Sequence, residues 1–185
     1  RKKTPDTLDT LGTPDTPEED TLSLKDDVLE RVDASLRNLV IMAEQASEID
    51  GALSVNEKII QDFMTIVQFD DASQKQLIMQ LEQATTQEDK TDFLIRLTHD
   101  LYNKREEQMS PLMMRQLEKI VMLQVIDNLW MNHLDAIDNL RSGIGLQGYA
   151  QKDPLVEYKN QAFKMFEQLV FAIDDEIVHR IFKTH

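Results

Sequence analysis

The side chains that could do chemistry begin with an acidic run, Glu48, Asp50, Gly51 and Glu57, spaced like the second half of a calcium-binding EF-hand loop. There the glycine permits a sharp turn and the last glutamate supplies two oxygens, while Leu53 stands where an apolar residue is usual. The first ligand position, however, holds Ala46, and the third holds Glu48 in place of Asp or Asn, so a full carboxylate ligand is missing. The other reading is a plain turn at Asp50-Gly51 followed by a capping box from Ser54 to Glu57. His99, His133, His179 and His185 are scattered, with no pair one helical turn apart. They read as helix-face or terminal residues, and His133, one turn after Trp130, suits a partly buried hydrogen-bonding role. Met109, Met113, Met114, Met122 and Met131 form either an adaptable greasy groove or, at their helical spacing, ordinary core.

Nucleophile elbows and lysine-bearing phosphate loops are absent from the sequence. The glycines of GIGLQG follow a helical run instead of a strand, so they lack the context of a dinucleotide fingerprint. They read as a helix C-cap at Gly143 followed by turns at Gly145 and Gly148. Carboxylates are plentiful but fall on expected wet faces, and no acid–base pair stands out. Tyr149 is different. It lies between Gly148 and Ala150, with Gln147, Gln151 and Lys152 nearby, and has few local neighbours to pack on. It either folds back onto its own hairpin or grips a partner chain by apolar contact and a hydrogen bond.

The elements that must position Tyr149 are helices. Residues 1–22 are rich in Thr, Asp and Pro, with Pro5, Pro14 and Pro17 opposing a long helix, and read as a flexible linker. Ser23 and Asp26 signal a helix start, and Val28, Leu29, Val32, Leu36, Leu39, Val40 and Ala43 recur at helical spacing, predicting a helix over 24–47. Three shorter helices follow: two are capped at Ser54 and at Ser73, Thr85-Thr86 breaks the second, and the third carries Phe93, Leu94, Leu97 and Leu101. Ser110-Pro111 opens a long helix to about Ser142, with Ser as N-cap and Pro at the first position. From Ile120 to Met131 this helix is apolar on more than one side, which predicts an embedded base around Trp130. Its stripe then narrows to Leu134, Ile137 and Leu140, with Asp135, Asp138 and Arg141 on other faces. Asp153-Pro154 starts a last helix to about Lys183, whose Val156, Phe163, Phe166, Leu169, Val170 and Ile173 are expected to face the preceding one in an antiparallel hairpin.

Bulk composition agrees with an all-α fold. Five glycines and five prolines among 185 residues leave few turns. A formal net charge of −14 would be repelled by phosphate backbones unless the few cations cluster, which argues against nucleic acid as a main ligand. The chain has no cysteine, so disulfides and thiolate metal sites are excluded. The opening RKKTPDTLDT lacks both an initiator Met and an apolar signal core, and the chain is expected to be a piece of a larger protein.

The stretch MMRQLEKIVMLQVIDNLWMNHLDAIDNLRSGIGLQGYAQKDPLVEYKNQAFKMFEQ resembles the helical scaffold and two-helix finger of the SecA family, the bacterial ATP-driven preprotein translocases. The matching pieces are Trp130, His133 and Leu134; Asp138 to Arg141; Tyr149 to Pro154; Glu157 to Lys159; and Met165-Phe166. The resemblance covers 111 to about 182 and implies a division into scaffold helix (23–47), helical wing (48–109) and second scaffold segment with finger (110–185, tip about 143–153). It implies that Tyr149, Gln147, Gln151 and Lys152 meet the moving polypeptide or its channel. Trp130, His133, Leu134, Asp138 and Arg141 would anchor the lever. Gln147 stands where the family usually carries Arg, which makes the tip less positive, and Asn160-Gln161 replaces a common charged pair.

The resemblance further implies the SecY channel complex, preproteins and the parent's own motor domains as partners, and it allows a homodimer. ATP and magnesium would serve the parent motor, with no cofactor and no catalysis in this segment. The location implied is the bacterial cytoplasm and the cytoplasmic face of the inner membrane, with peripheral association through the channel. A free-standing acidic helical binding module, or a degenerate calcium module, are the rival readings from the residues alone.

Overall fold

The computed structural model of the chain describes residues 17–50, 54–144 and 153–183, with side chains from 24 to 46, 54 to 70, 72 to 144 and 153 to 183. All regular structure among the described residues is helical: α1 (Pro17–Asp50), α2 (Val55–Ile66), α3 (Asp71–Gln83), α4 (Gln87–Met109), α5 (Pro111–Gly143) and α6 (Pro154–Lys183).

α1 begins at Pro17, inside the stretch expected to be a linker. Proline at the first helical position costs nothing, because its missing N–H would lack an intrahelical partner anyway. Val28, Val32, Leu36, Val40 and Ala43 recur every three or four residues and are fully buried, so one stripe of α1 forms the spine of the core. α2 starts with the expected capping box: Ser54 accepts from Glu57 N, and the Glu57 carboxylate accepts from Ser54 N at 2.8 Å. α3 is capped one turn earlier than expected, because Asp70, and not Ser73, is the N-cap and accepts from Ser73 N at 2.8 Å. An ionised carboxylate accepting from a backbone N–H at a helix start makes a charge-assisted bond. At α4, Thr86 and Asp89 exchange side-chain and backbone bonds in a second capping box.

Only Ser110 separates α4 from α5. Its backbone lies at φ 76, ψ 149, and its hydroxyl makes no cap bond; its carbonyl accepts from Met114 N at 3.1 Å instead. The following Pro111 disfavours right-handed helical torsions at Ser110. The expected C-cap at Gly143 also shifts. Gly143 is still helical, Ile144 is the C-cap, and a Cβ at Gly143 would meet open space.

The core gathers residues from all six helices. Into it run the first turns of α5, through Met114, Val121 and Val125, and the last turns of α6, through Ile177, Val178 and Ile181. Ion pairs and hydrogen bonds tie the elements at its edge. Arg31 of α1 pairs with Asp174 of α6, His99 of α4 meets Asp33 of α1 at 2.7 Å, and Arg105 of α4 donates to the Ile181 carbonyl near the end of α6. The rest of α5 and α6 extends beyond this body as a pair. No helix among the described residues is long and apolar enough to cross a membrane.

Candidate functional site: the helical hairpin and its root

α5 and α6 lie antiparallel. At the root, Val121 and Val125 share a core with Ile177, Val178 and Ile181. Midway, the His133 and Phe166 rings meet edge-on with centroids 6.3 Å apart. At the far end, Arg141 and Ile144 line a cleft of about 370 Å³ with Pro154, Leu155 and Tyr158. With 33 residues at about 1.5 Å each, α5 is roughly 50 Å long. α6 is capped by Asp153, whose carboxylate accepts from Leu155 N at 2.9 Å, with Pro154 in the first helical position.

The tip residues singled out from sequence, Gln147, Tyr149, Gln151 and Lys152, lie outside the described residues. The other five, Trp130, His133, Leu134, Asp138 and Arg141, all sit on the projecting part of α5. His133 lies half-buried in the seam, 5.7 Å from the Trp130 ring. Asp138 and Arg141 are exposed, and the Ser142 hydroxyl donates to the Asp138 carbonyl at 2.9 Å.

The embedded base is not where the apolar run predicts it. Trp130 is 44% exposed and Leu134 45%, and Ile120, Leu123 and Met131 are more open still. A helix pair covers one face of each member, and along this stretch α5 meets α6 through the His133 and Phe166 rings. The buried part of α5 is Met114, Arg115, Glu118, Val121 and Val125, one to four turns from its start. α6 differs in the same way. Val156, Phe163 and Val170 lie on its exposed side, Phe166 meets His133 yet stays about half exposed, and the better covered line is Tyr158, Ala162, Met165, Leu169 and Ile173.

The root holds a polar cluster that sequence patterning overlooked. Tyr102 of α4 and Glu118 of α5 are both 0% exposed and Arg115 is 7% exposed. The Tyr102 hydroxyl donates to Glu118 and accepts from Arg115 Nη2 at 2.5 Å. Arg115 also pairs with Glu118 at 2.9 Å and with Glu106 of α4 at 2.7 Å. Lys25 of α1 closes the cluster on Glu106 at 2.6 Å, donates to Asn103 at 3.1 Å, and lies over the Tyr102 ring. Burial pushes the Tyr102 phenol well above its usual range, and the bond to Glu118 adds to that. Burial likewise raises the Glu118 carboxyl, against the opposing pull of the Tyr102 bond and Arg115. Glu118 Oε2 has no hydrogen-bond partner among the described residues. Two cations and two carboxylates balance in formal charge, which is the condition for ionic groups to be buried together. A signal was available: Met114, Glu118, Val121 and Val125 share one helical stripe, as do Leu94, Thr98 and Tyr102.

Of the acidic run, the side chains of Glu48 and Asp50 and the whole of Gly51 lie outside the described residues, as does His185. No group of ligating side chains gathers among the described residues. Glu57 is engaged in its capping box, while His179 contacts Thr65 at 3.1 Å and the Asp175 carbonyl at 2.8 Å. Of the methionines, Met114 is core, Met109 and Met122 pack against it, and Met113 and Met131 are exposed.

The architecture is thus an all-α domain with a long antiparallel hairpin rooted in its core, a class whose working parts are rods and surfaces. Residues 18–185 match the family described as "SecA Wing and Scaffold domain", and the chain belongs to that family. The chain is 34% identical over 161 residues to the protein translocase subunit SecA of Thermodesulfovibrio yellowstonii, covering 87% of this chain and 17% of that protein. It is 46% identical over 94 residues to the SecA subunit of Desulforamulus reducens, covering 51% of this chain and 11% of the relative. With the SecA subunit of Dehalococcoides mccartyi strain CBDB1 it shares 44% identity over 99 residues, which is 54% of this chain and 10% of the relative. The chain therefore spans only a small part of the length of the curated relatives it matches.

Proposed function

We propose that this chain is the wing and scaffold of a SecA-type translocase, and that its hairpin carries ATP-driven motion to unfolded preproteins at the mouth of the SecY channel. The observation behind this reading is the paired α5–α6 rod, buried at one end and projecting at the other. A rod fixed only at its root transmits rotation of the root to its tip. Tyr149, in the connection between the two helices, is the contact with cargo, and Gln147, Gln151 and Lys152 flank it against polypeptide or channel. An aromatic ring suits varied cargo, because it packs on many side chains without reading them.

The motor domains of the parent bind ATP and magnesium and drive the cycle; this segment supplies no catalytic group. Those domains also provide the cover for the exposed apolar faces of α5 and α6 at Ile120, Leu123, Met131, Phe163 and Val170. The segment works at the cytoplasmic face of the bacterial inner membrane, attached peripherally through the channel. Tyr149→Ala in the parent tests this. Preprotein transport into inverted membrane vesicles should collapse, while the thermal melt of the 185-residue chain stays within about 0.5 kcal/mol, the usual range for a surface change. Undiminished transport by that variant would refute the fingertip role.

A further inference from the structure

We infer that Tyr102, Arg115 and Glu118 form an angular lock that sets the direction in which α5, and with it the hairpin, leaves the body of the protein. This inference rests on geometry at the root and does not depend on the translocase reading.

The angle between α4 and α5 has two determinants. One is the pair of torsions at Ser110, the single residue that joins the helices. The other is whatever clamps the helices on either side of it. Ser110 sits at φ 76, a region that costs an L-residue free energy and persists only where its surroundings hold it. The clamp that spans this joint is the polar cluster. Tyr102 lies two turns before Ser110, and Arg115 and Glu118 lie one to two turns after it. Their bonds run from Tyr102 to Glu118, from Arg115 to Tyr102, and from Arg115 to Glu106, so each crosses from one helix to the other.

Apolar contacts alone specify such an angle less sharply, since cores that keep their volume and pattern lose rigidity before they lose stability. Directional bonds between buried groups do not slide, because any displaced partner is left unpaired away from water. The cluster is also referred to a third helix, through Lys25 on Glu106. Distance then magnifies what the lock controls. Asn139 lies roughly 36 Å along α5 from Arg115 at about 1.5 Å per residue, so a tilt of about 10° at the root moves it by about 6 Å.

The chain has no native cysteine, so two labels can be placed without background. Glu88, at the start of α4, and Asn139, near the end of α5, are both exposed. With Glu88→Cys and Asn139→Cys carrying spin labels, pulsed electron resonance should give one narrow distance distribution for the otherwise unchanged chain. Combining Tyr102→Phe with Glu118→Leu should broaden or shift that distribution by about 6 Å, the displacement set by helix length, with helical circular dichroism preserved. A narrow, unmoved distribution in the folded variant overturns the lock.

If the double variant loses its helical signal, Tyr102→Phe alone, which deletes one oxygen, takes its place. Broadening in that variant supports the lock. A narrow distribution, or unfolding there too, overturns it, since the cluster would then be holding the core together and not its angle. Glu118→Gln provides the rescue arm. Its amide oxygen still accepts from Tyr102, so its distribution should stay narrower than that of Glu118→Leu, and equal broadening in the two would count against a bond-directed lock.

Discussion

The Trp130 indole lies tilted on the His133 imidazole, ring centroids 5.7 Å apart, and His133 in turn meets Phe166 of the opposite helix. Trp130 is therefore a lid over the seam between two helices, open to solvent on its other side. Removing it should cost less than removing a buried aromatic. Full burial would put Trp130→Ala at roughly 3–5 kcal/mol; with 44% of the residue exposed, the expected loss is about 1–2 kcal/mol in urea unfolding. As the only tryptophan, it should also emit in the solvent-exposed range and be readily quenched by acrylamide. A blue-shifted, shielded emission would place the ring under cover.

The opposite expectation holds a few turns earlier. Met114 and Val125 are fully buried, whereas Leu123 between them is open to solvent. Met114→Ala should cost about 2–5 kcal/mol, through lost burial and the cavity it leaves. Leu123→Ala should stay within about 0.5 kcal/mol. Chemical denaturation of the two variants measures the contrast, and similar losses would mean that α5 is covered on both sides in solution.

Periodicity made the helices legible. The stripe from Val28 to Ala43 and the Ser54–Glu57 box needed only spacing and cap chemistry to be read. What spacing conveys poorly is which apolar face finds a neighbour. Around Trp130 the sequence is apolar on several sides, yet the Trp130 residue is 44% exposed and the buried residues of α5 lie nearer Ser110. The α3 cap lies one turn earlier than read: Asp70, three residues before Ser73, accepts from Ser73 N, so the helix has already begun where Ser73 was expected to start it. The buried cluster escaped because ionisable residues are ordinarily read as solvated, and Glu118 becomes buried only through partners on another helix. The fingertip residues lie outside the described part, so their reading still rests on the sequence.

Ser110 gives a third expectation. Glycine adopts φ 76 without steric penalty, while serine does not. Ser110 makes no side-chain cap bond whose loss would offset the gain. Ser110→Gly should therefore raise stability by about 0.5–1 kcal/mol, the strain relieved being partly cancelled by glycine's greater freedom in the unfolded chain. A rise in the melting temperature checks this; a fall would show that serine at this joint carries a bond or a contact worth more than its torsional cost.

The last expectation concerns pH, where two sets of carboxylates act in opposite directions. Glu118 is raised above its ordinary value of 4.5, chiefly by burial, so between that value and its folded pKa the native state holds more protons than the unfolded state. Unfolding free energy then falls as pH rises through this window, and an ionised Glu118 is a burden at neutral pH. Glu57, Asp70 and Asp89 are lowered by their capping bonds with Ser54, Ser73 and Thr86. Their contribution is complete above the ordinary values of 4.5, 3.8 and 3.8, and is lost as pH falls through the lower folded values. Melting temperature measured against pH should therefore lose part of its rise on acidification above 4.5 in Glu118→Gln, and part of its drop below 4.5 when Glu57 and Asp89 are replaced by Gln and Asn. If Glu118→Gln leaves the upper limb unchanged, the carboxyl is not sealed from water as the geometry requires; if the cap variants leave the lower limb unchanged, acid unfolding begins elsewhere than at the helix ends.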